Sequence, residues 1–161
     1  MERQWSLEES TVVDAPPMVV YRLVSDLRNM GRWSPECRSV WVLRPPARTG
    51  TRFVGFNRRG PFAWFTLGQV IQARQDSEFT FDIGVLGLPI ARWGYRFEPE
   101  GEGTRITEFW QDLRTGGWRA RGADLLGTVF AGTNPARRVA LNRAGMRTTL
   151  ARIAQTVVSG V

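Results

Sequence analysis

The most constraining feature of this sequence is a run of six strand-like segments, each separated from the next by a short turn. The segments are 38–44, 51–57, 62–74, 78–84, 91–99 and 104–114. Consecutive strands joined by short connections predict an antiparallel meander. A further strand-like stretch at about residues 4–13 makes seven strands, and 85–89 ("VLGLP") is predicted to be a loop.

Helices are predicted on both sides of the meander. After the first strand, "DAPP" indicates a helix start, with Asp14 as the expected cap of the first exposed N–H groups. Apolar residues then follow at i, i+3, i+4 and i+7, as on one face of a helix: Val20, Leu23, Val24 and Leu27. "RNMGRWSPEC" interrupts this pattern and predicts a short second helix or a turn.

A long C-terminal helix is predicted over residues 134–158. Asn134 is a suitable cap and Pro135 suits the first helical position. Arg137, Arg138 and Arg152 are expected to point away from the apolar stripe. That stripe consists of Val139, Met146, Leu150, Ile153 and Val157.

The order of elements limits how these parts can pack. An antiparallel sheet has one face to cover, and one amphipathic helix can cover only part of it. We therefore expect the sheet to curl around the C-terminal helix and to leave a gap between them. With 161 residues, the chain is expected to form one α+β domain over residues 1–161.

The residue types that are missing exclude several kinds of chemistry. The chain has no histidine, and its 22 basic residues are all arginine. Histidine-based triads, lysine Schiff bases and the P-loop lysine are therefore excluded. One cysteine without histidine argues against a zinc site and against a cysteine nucleophile at Cys37. We expect no cofactor and no metal.

The net charge of +7 raises the question of a nucleic-acid partner. The arginines are spread along the chain without a run of five, so a solvated basic surface is favoured over nucleic-acid binding. The first residues lack the apolar core of a signal peptide, and no apolar run is long enough for a membrane helix. A cytoplasmic protein is therefore expected.

Several sequence words, in their order and spacing, resemble one superfamily. They are "DAPPMVVYRLVSDLRNMGRWSPEC", "GTRFVGFNRRG", the tryptophan at 64, "GTRITEFWQ" and "NRAGMRTTLARI". The chain resembles the SRPBCC superfamily with the START and Bet v 1-like helix-grip fold, and within it a bacterial polyketide cyclase/dehydrase branch. The resemblance implies a seven-stranded sheet gripping the C-terminal helix and a largely apolar cavity between them. It implies no catalytic residue.

Strand parity predicts which side chains face this cavity, because successive residues of a strand point to opposite faces. On the strand at 91–99 the aromatic residues share one face, opposite Arg92 and Arg96. The predicted inward sets are Phe53, Gly55 and Asn57; Trp64, Thr66, Gly68 and Val70; Phe79, Phe81 and Ile83; Trp93, Tyr95 and Phe97; Thr104, Ile106, Glu108 and Trp110.

Glu108 is the one carboxylate in these inward sets. A buried carboxylate needs a partner or takes up a proton, and Asn57, inward on another strand, is one candidate partner. Desolvation should raise the pKa of Glu108. Asp112, near the strand end, is expected at a solvated mouth. A purely structural role of Glu108 as a hydrogen-bonded anchor stands beside a catalytic one.

The predicted ligand-binding residues are mostly aromatic. They are Trp33, Phe53, Asn57, Trp64, Phe81, Trp93, Tyr95, Trp110, Met146 and Leu150. The tryptophans have core packing as their alternative role. The glycine-rich segment 115–134 is interpreted as a lid over the cavity rather than a membrane-docking segment.

Three functions remain open at this point. The first is binding of a hydrophobic small molecule, such as a lipid, polyketide or aromatic compound. The second is a cofactor-free polyketide-type cyclase or dehydratase that uses Glu108 as general acid or base. The third, resting on charge alone, is contact with nucleic acid or an anionic membrane. Apolar positions on 104–113 permit a homodimer.

Overall fold

The predicted helix-grip α+β fold is confirmed by a computed structural model, which describes residues 6–114, 121, 122, 125 and 134–160. Seven strands form one antiparallel sheet. They are β1 (Ser6–Val13), β2 (Cys37–Val42), β3 (Arg52–Arg59), β4 (Phe62–Arg74), β5 (Glu78–Val85), β6 (Leu88–Glu100) and β7 (Gly103–Asp112).

The strands follow the order β1-β7-β6-β5-β4-β3-β2, so that β2 to β7 form the predicted meander and β1 lies beside β7. The described helices are α1 (Pro17–Ser25), a 3₁₀ turn (Leu27–Asn29), α2 (Met30–Trp33) and α3 (Pro135–Val158). None of them is both long and apolar enough to span a membrane.

Two hairpins with two-residue turns set the register of β5, β6 and β7. The loop predicted at 85–89 is shorter in the structure, since β5 runs to Val85 and β6 begins at Leu88. Leu86 and Gly87 between them both have positive φ, 51° and 76°, as two-residue hairpin turns require. The β6–β7 hairpin also has a two-residue turn, with φ of 59° at Gly101.

The helix starts differ in how they are capped. Asp14 does not cap α1: the capping position is Pro16, with no side-chain hydrogen bond. Two consecutive prolines move the start of the helix along the chain, and proline removes backbone N–H groups that a cap would have satisfied. Asn134 does cap α3, because its Oδ1 accepts a 2.9 Å hydrogen bond from the Arg137 amide.

The hydrophobic core lies between the inner sheet face and α3. Met146, Leu150 and Ile153 of the predicted stripe are at most 3% exposed. Trp33, from α2, and Leu150 belong to the core cluster that includes Phe79. These contacts fix α3 across the sheet along its C-terminal half. Nearer its N-terminus the helix stands over a cavity.

Candidate functional site

A cavity of about 710 Å³ lies between α3 and the inner face of the sheet. Its walls are mainly apolar, and described residues from β2 to β7 and from the first two-thirds of α3 border it. A space of this size falls within the range of small-molecule sites in proteins.

Eight of the ten predicted ligand-binding residues border this cavity. They are Phe53, Asn57, Trp64, Phe81, Trp93, Tyr95, Trp110 and Met146. The placement of Trp33 and Leu150 is corrected: they are 1% and 3% exposed and pack in the core, away from the cavity wall. Hydrophobicity and parity cannot separate a cavity wall from a filled core, since both are apolar and inward.

One buried polar feature is a pair of side chains on neighbouring strands. Tyr95 of β6 and Glu108 of β7 are directly opposite in the ladder, two residues along each strand from the Trp93 and Trp110 pair. The Tyr95 hydroxyl donates a 3.0 Å hydrogen bond to Oε1 of Glu108. Glu108 is 3% exposed and Tyr95 is 4% exposed, so this bond lies in an almost dry environment.

Burial changes the protonation of this pair. Desolvation raises the pKa of Glu108 from 4.5 to about 8, and the hydrogen bond from Tyr95 lowers it only in part. The pKa of Tyr95 also rises well above 10, mainly through its own burial and then through the nearby Glu108. At neutral pH both groups are therefore neutral, and Glu108 is a carboxylic acid.

The second carboxyl oxygen of Glu108 is buried and has no described hydrogen-bond partner. Glu108 borders the cavity, and its Oε2 has no hydrogen-bond partner among the described residues. When Oε1 accepts from Tyr95, the acid proton belongs on Oε2, which can then donate. A buried donor without a hydrogen-bond partner destabilises a protein by about 1–3 kcal/mol. A ligand with an acceptor atom would remove this cost by accepting the hydrogen bond.

Asn57 is not the partner of Glu108. Its amide nitrogen instead approaches the Gly55 carbonyl oxygen at 3.4 Å and the Thr66 hydroxyl oxygen at 3.5 Å. Asn57 lies on β3, whereas Glu108 lies on β7 with three strands between them. Parity placed both residues on the inner face but could not give the separation across the sheet.

The expected position of Asp112 at a solvated mouth is wrong. Its side chain is 1% exposed and forms a bidentate pair with Arg114, with 2.8 Å from Nε to Oδ1 and 2.8 Å from Nη2 to Oδ2. The Arg114 amide also donates to Oδ1. Arg114 borders the cavity, so the end of β7 presents a neutralised ion pair there instead of a free carboxylate.

A charged cluster borders another part of the cavity wall. Arg138 of α3 holds the Glu36 carboxylate with Nη1–oxygen distances of 2.9 and 2.7 Å, and Nε of Arg59 lies 3.7 Å from it. The Arg138 guanidinium lies 5.6 Å from the centre of the Trp64 ring. Arg138 therefore points towards the sheet, contrary to the expectation that it points away.

Two polar cavity residues on α3 were missed. Asn142 and Thr149 are 8% and 4% exposed and border the cavity. Both are spaced by three or four residues from Met146, so they lie on the predicted apolar stripe. Polar residues on an otherwise apolar helix stripe were the available signal.

One glycine keeps the cavity wall in shape. Phe53 on β3 pairs with Gly68 on β4, and the Phe53 ring lies over the glycine. A Cβ atom at Gly68 would collide with that ring. Glycine at this position therefore lets Phe53 cross the neighbouring strand and pack against Phe81, with ring centres 5.4 Å apart.

The remaining candidates add no reactive group. Burial raises the pKa of the Cys37 thiol to about 11, which keeps it protonated and poorly nucleophilic. The described residues contain no group of three or more Cys, Asp and Glu side chains that could hold a metal ion. The interpretation of 115–134 as a lid falls almost wholly outside the described residues.

The comparisons with known structures agree with this architecture. A polyketide-cyclase-like protein from Corynebacterium glutamicum is 27% identical, with a TM-score of 0.64 over 98% of this chain and 93% of that one. The protein Ara h 8.0201 is 12% identical, with a TM-score of 0.62 over 96% of this chain and 98% of that one. At this identity the second likeness shows the fold alone.

A biosynthetic protein has the same fold. The di-domain ARO/CYC protein StfQ from the steffimycin biosynthetic pathway is 14% identical, with a TM-score of 0.69 over 97% of this chain and 52% of that chain. No protein with a curated description matches this chain. A family model described as "Polyketide cyclase / dehydrase and lipid transport" matches residues 4–158. The expected relationship is thus confirmed, and the chain belongs to the polyketide cyclase/dehydrase and lipid transport family.

Proposed function

We propose that this protein binds a hydrophobic small molecule in the cavity between its sheet and α3. The single observation that carries this proposal is the buried Glu108 carboxyl: Glu108 borders an apolar cavity, and its Oε2 has no hydrogen-bond partner among the described residues. Apolar walls supply most of the affinity for such a ligand, and the few polar groups orient it.

The protonation of Glu108 defines the polar group of the ligand. A neutral carboxylic acid donates a hydrogen bond, so Oε2 suits an acceptor oxygen such as a carbonyl, hydroxyl or ether. Aromatic side chains from β6 and β7 surround this point, among them Trp93 and Trp110. The proposed ligand is therefore a lipid, polyketide or aromatic compound with an acceptor oxygen inside its apolar part.

Organic extraction of freshly purified protein, followed by mass spectrometry, tests the proposal. We expect a discrete hydrophobic compound at nearly one molecule per protein. Its affinity for the emptied protein should fall as the pH rises through about 8, because ionised Glu108 no longer donates. A compound that binds equally at pH 6 and pH 9 would contradict the role of Glu108.

Two variants of Glu108 distinguish the role of its hydrogen-bond donor from the role of its ionisation. Glu108→Gln keeps an N–H donor and should bind with a modest change in affinity but without the pH dependence. Glu108→Leu removes the donor and should weaken binding by about five- to tenfold. Glu98→Gln, on an exposed position of β6, is the control for the same chemical change outside the cavity.

A cyclase or dehydratase is the second candidate, and the pKa of Glu108 near 8 supports it. An acid that titrates close to the working pH is suited to proton transfer, and Glu108 meets the cavity in the protonated form that general-acid catalysis needs. The same Glu108→Gln variant distinguishes the two functions. It leaves binding by a carrier nearly intact but should reduce turnover by an enzyme about 10²-fold or more.

A further inference from the structure

The outer face of the sheet, turned away from α3, has two halves of different character. On β5, β6, β7 and β1 its charges are paired: Arg92 with Asp82, Arg96 with Glu8 and Arg105 with Glu100, at 2.7, 2.7 and 2.6 Å. On β2, β3 and β4, and at Leu43 just after β2, large apolar side chains are exposed instead: Trp41, Leu43, Phe56, Phe65, Leu67 and Ile71.

The strand register makes these apolar side chains contiguous. Trp41 lies opposite Val54, which lies opposite Leu67, and Phe56 lies opposite Phe65. Neighbouring strands are about 4.8 Å apart, so these rows form one surface across three strands. Trp41 is 63% exposed. A contiguous exposed apolar surface of this kind marks an interaction site.

Arginines flank this surface at both ends. Along the outer side of β3 the order is Arg52, Val54, Phe56 and Arg58, so two apolar residues lie between two exposed arginines. The sequence from 37 to 75 contains seven arginines and no Asp or Glu. The partner of this surface must therefore be both apolar and anionic.

We propose that the outer face of β2, β3 and β4 docks on an anionic lipid surface. Aromatic and aliphatic side chains enter the interface between headgroups and acyl chains, while arginines contact the phosphate groups. A second copy of this chain fits poorly, because it would bring the same positive charge. A nucleic-acid strand would use the aromatic rings for stacking but leave Leu43, Leu67 and Ile71 without a role.

Among its six exposed apolar residues only Phe65 also borders the cavity, and docking needs neither a ligand nor Glu108. Cosedimentation with vesicles tests it, using phosphatidylcholine alone or mixed with phosphatidylglycerol. We expect binding to the mixed vesicles that weakens as salt is raised and is nearly lost on phosphatidylcholine alone. Equal binding to both vesicle types, or none to the anionic ones, would overturn the proposal.

Two variants and their controls locate the contact. Trp41→Thr/Phe56→Thr/Leu67→Thr should reduce binding at least about tenfold, and Arg52→Gln/Arg58→Gln about thirtyfold. Phe65 is left intact because it also borders the cavity. The controls are Val12→Thr, an exposed position on β1, and Arg32→Gln/Arg137→Gln, which removes as much charge elsewhere. Both should bind like the wild type.

A second copy of this chain or a nucleic-acid strand, as the alternative partner, would give different results with the same wild-type and variant proteins. Light scattering that shows a dimer lost in the apolar triple variant would make this face an interface between copies. Salt-sensitive binding of a single-stranded oligonucleotide, lost in the same variant, would assign it to nucleic acid. Either result, without vesicle binding, overturns the lipid proposal. Thermal unfolding shows that each variant is folded, and Glu108→Gln should dock normally.

Discussion

Tyr95 donates a hydrogen bond to Glu108 across the β6–β7 ladder, and this 3.0 Å contact is the one hydrogen bond described for the Glu108 side chain. The contact has two consequences. It leaves Oε2 as the carboxyl oxygen without a described partner, and it limits how far burial can raise the pKa of Glu108.

The first prediction concerns stability as a function of pH. The pKa of Glu108 is about 8 in the folded protein and about 4.5 in the unfolded chain. Between these values the folded state binds more protons, so the free energy of unfolding falls as the pH rises from about 4.5 to 8. Each pKa unit corresponds to about 1.4 kcal/mol, so the loss amounts to several kcal/mol.

Urea unfolding of ligand-free protein at pH 5, 6, 7 and 8 measures this effect. Glu108→Gln cannot ionise and should show a flatter profile than the wild type across that range. The exposed Glu98→Gln variant should keep the wild-type slope. Parallel slopes in wild type and Glu108→Gln would show that the carboxyl stays ionised in the folded protein.

The second prediction removes the Tyr95 hydroxyl. In Tyr95→Phe the carboxylate of Glu108 loses its hydrogen bond, so the pKa of Glu108 should rise further. The pH at which Glu108 ionises, followed by carboxyl ¹³C NMR, should therefore move upwards. The protein should also lose about 1–3 kcal/mol of stability, because both Glu108 oxygens are then without a described partner. A downward shift of the pKa would contradict this account.

Much of this pair was predictable from the sequence, but its pairing was not recognised. The alternation of aromatic residues and arginines on β6 placed Trp93, Tyr95 and Phe97 inward, where the structure has them. The turn at "EGEG" gives the register between β6 and β7. A two-residue turn at 101–102 pairs Glu100 with Gly103, and counting outwards brings Tyr95 opposite Glu108. A register inferred from that turn would have identified Tyr95 as the partner.

Other features depend on contacts that no local pattern records. Arg138 turns towards the sheet because Glu36, 102 residues away in the chain, accepts its hydrogen bonds. Asp112 is buried because Arg114, just beyond the strand, folds back onto it. Helical and strand periodicity predict that charged side chains lie on the solvent side. Periodicity therefore does not predict a charged side chain that is buried in an ion pair.

The third prediction tests the close approach of β3 and β4 on the cavity wall. Gly68→Ala places a methyl group against the Phe53 ring, which must move from its position against Phe81. Overpacking of this kind costs about 1–3 kcal/mol, as measured by denaturant unfolding. Gln69→Ala, the neighbouring exposed position on the same strand, is the control and should change stability by less than about 0.5 kcal/mol.

A second-site change checks the cause of that loss. Phe53→Leu shortens the side chain over Gly68, so Gly68→Ala should cost less in a Phe53→Leu background than in the wild type. Equal costs in both backgrounds would show that the methyl group does not act through Phe53.

The fourth prediction compares two ion pairs that differ mainly in burial. The Asp112 and Arg114 side chains are 1% and 7% exposed with a 2.8 Å contact, whereas Glu100 and Arg105 are 44% and 41% exposed with a 2.6 Å contact. Arg114→Ala leaves a buried carboxylate without its guanidinium and should cost about 3–5 kcal/mol. Arg105→Ala should cost at most about 1 kcal/mol, because water solvates the exposed Glu100.

Denaturant unfolding at low and high salt distinguishes burial from simple charge attraction. Salt screens exposed pairs strongly and buried pairs weakly, so the small cost of Arg105→Ala should vanish at 1 M salt while that of Arg114→Ala persists. Asp112→Ala/Arg114→Ala should be less harmful than Arg114→Ala alone, because the buried carboxylate that pairs with Arg114 is removed as well. The opposite outcome is that the double variant loses as much stability as the two single variants lose together. In that case the loss arises from packing around the cavity and not from a buried carboxylate without its guanidinium.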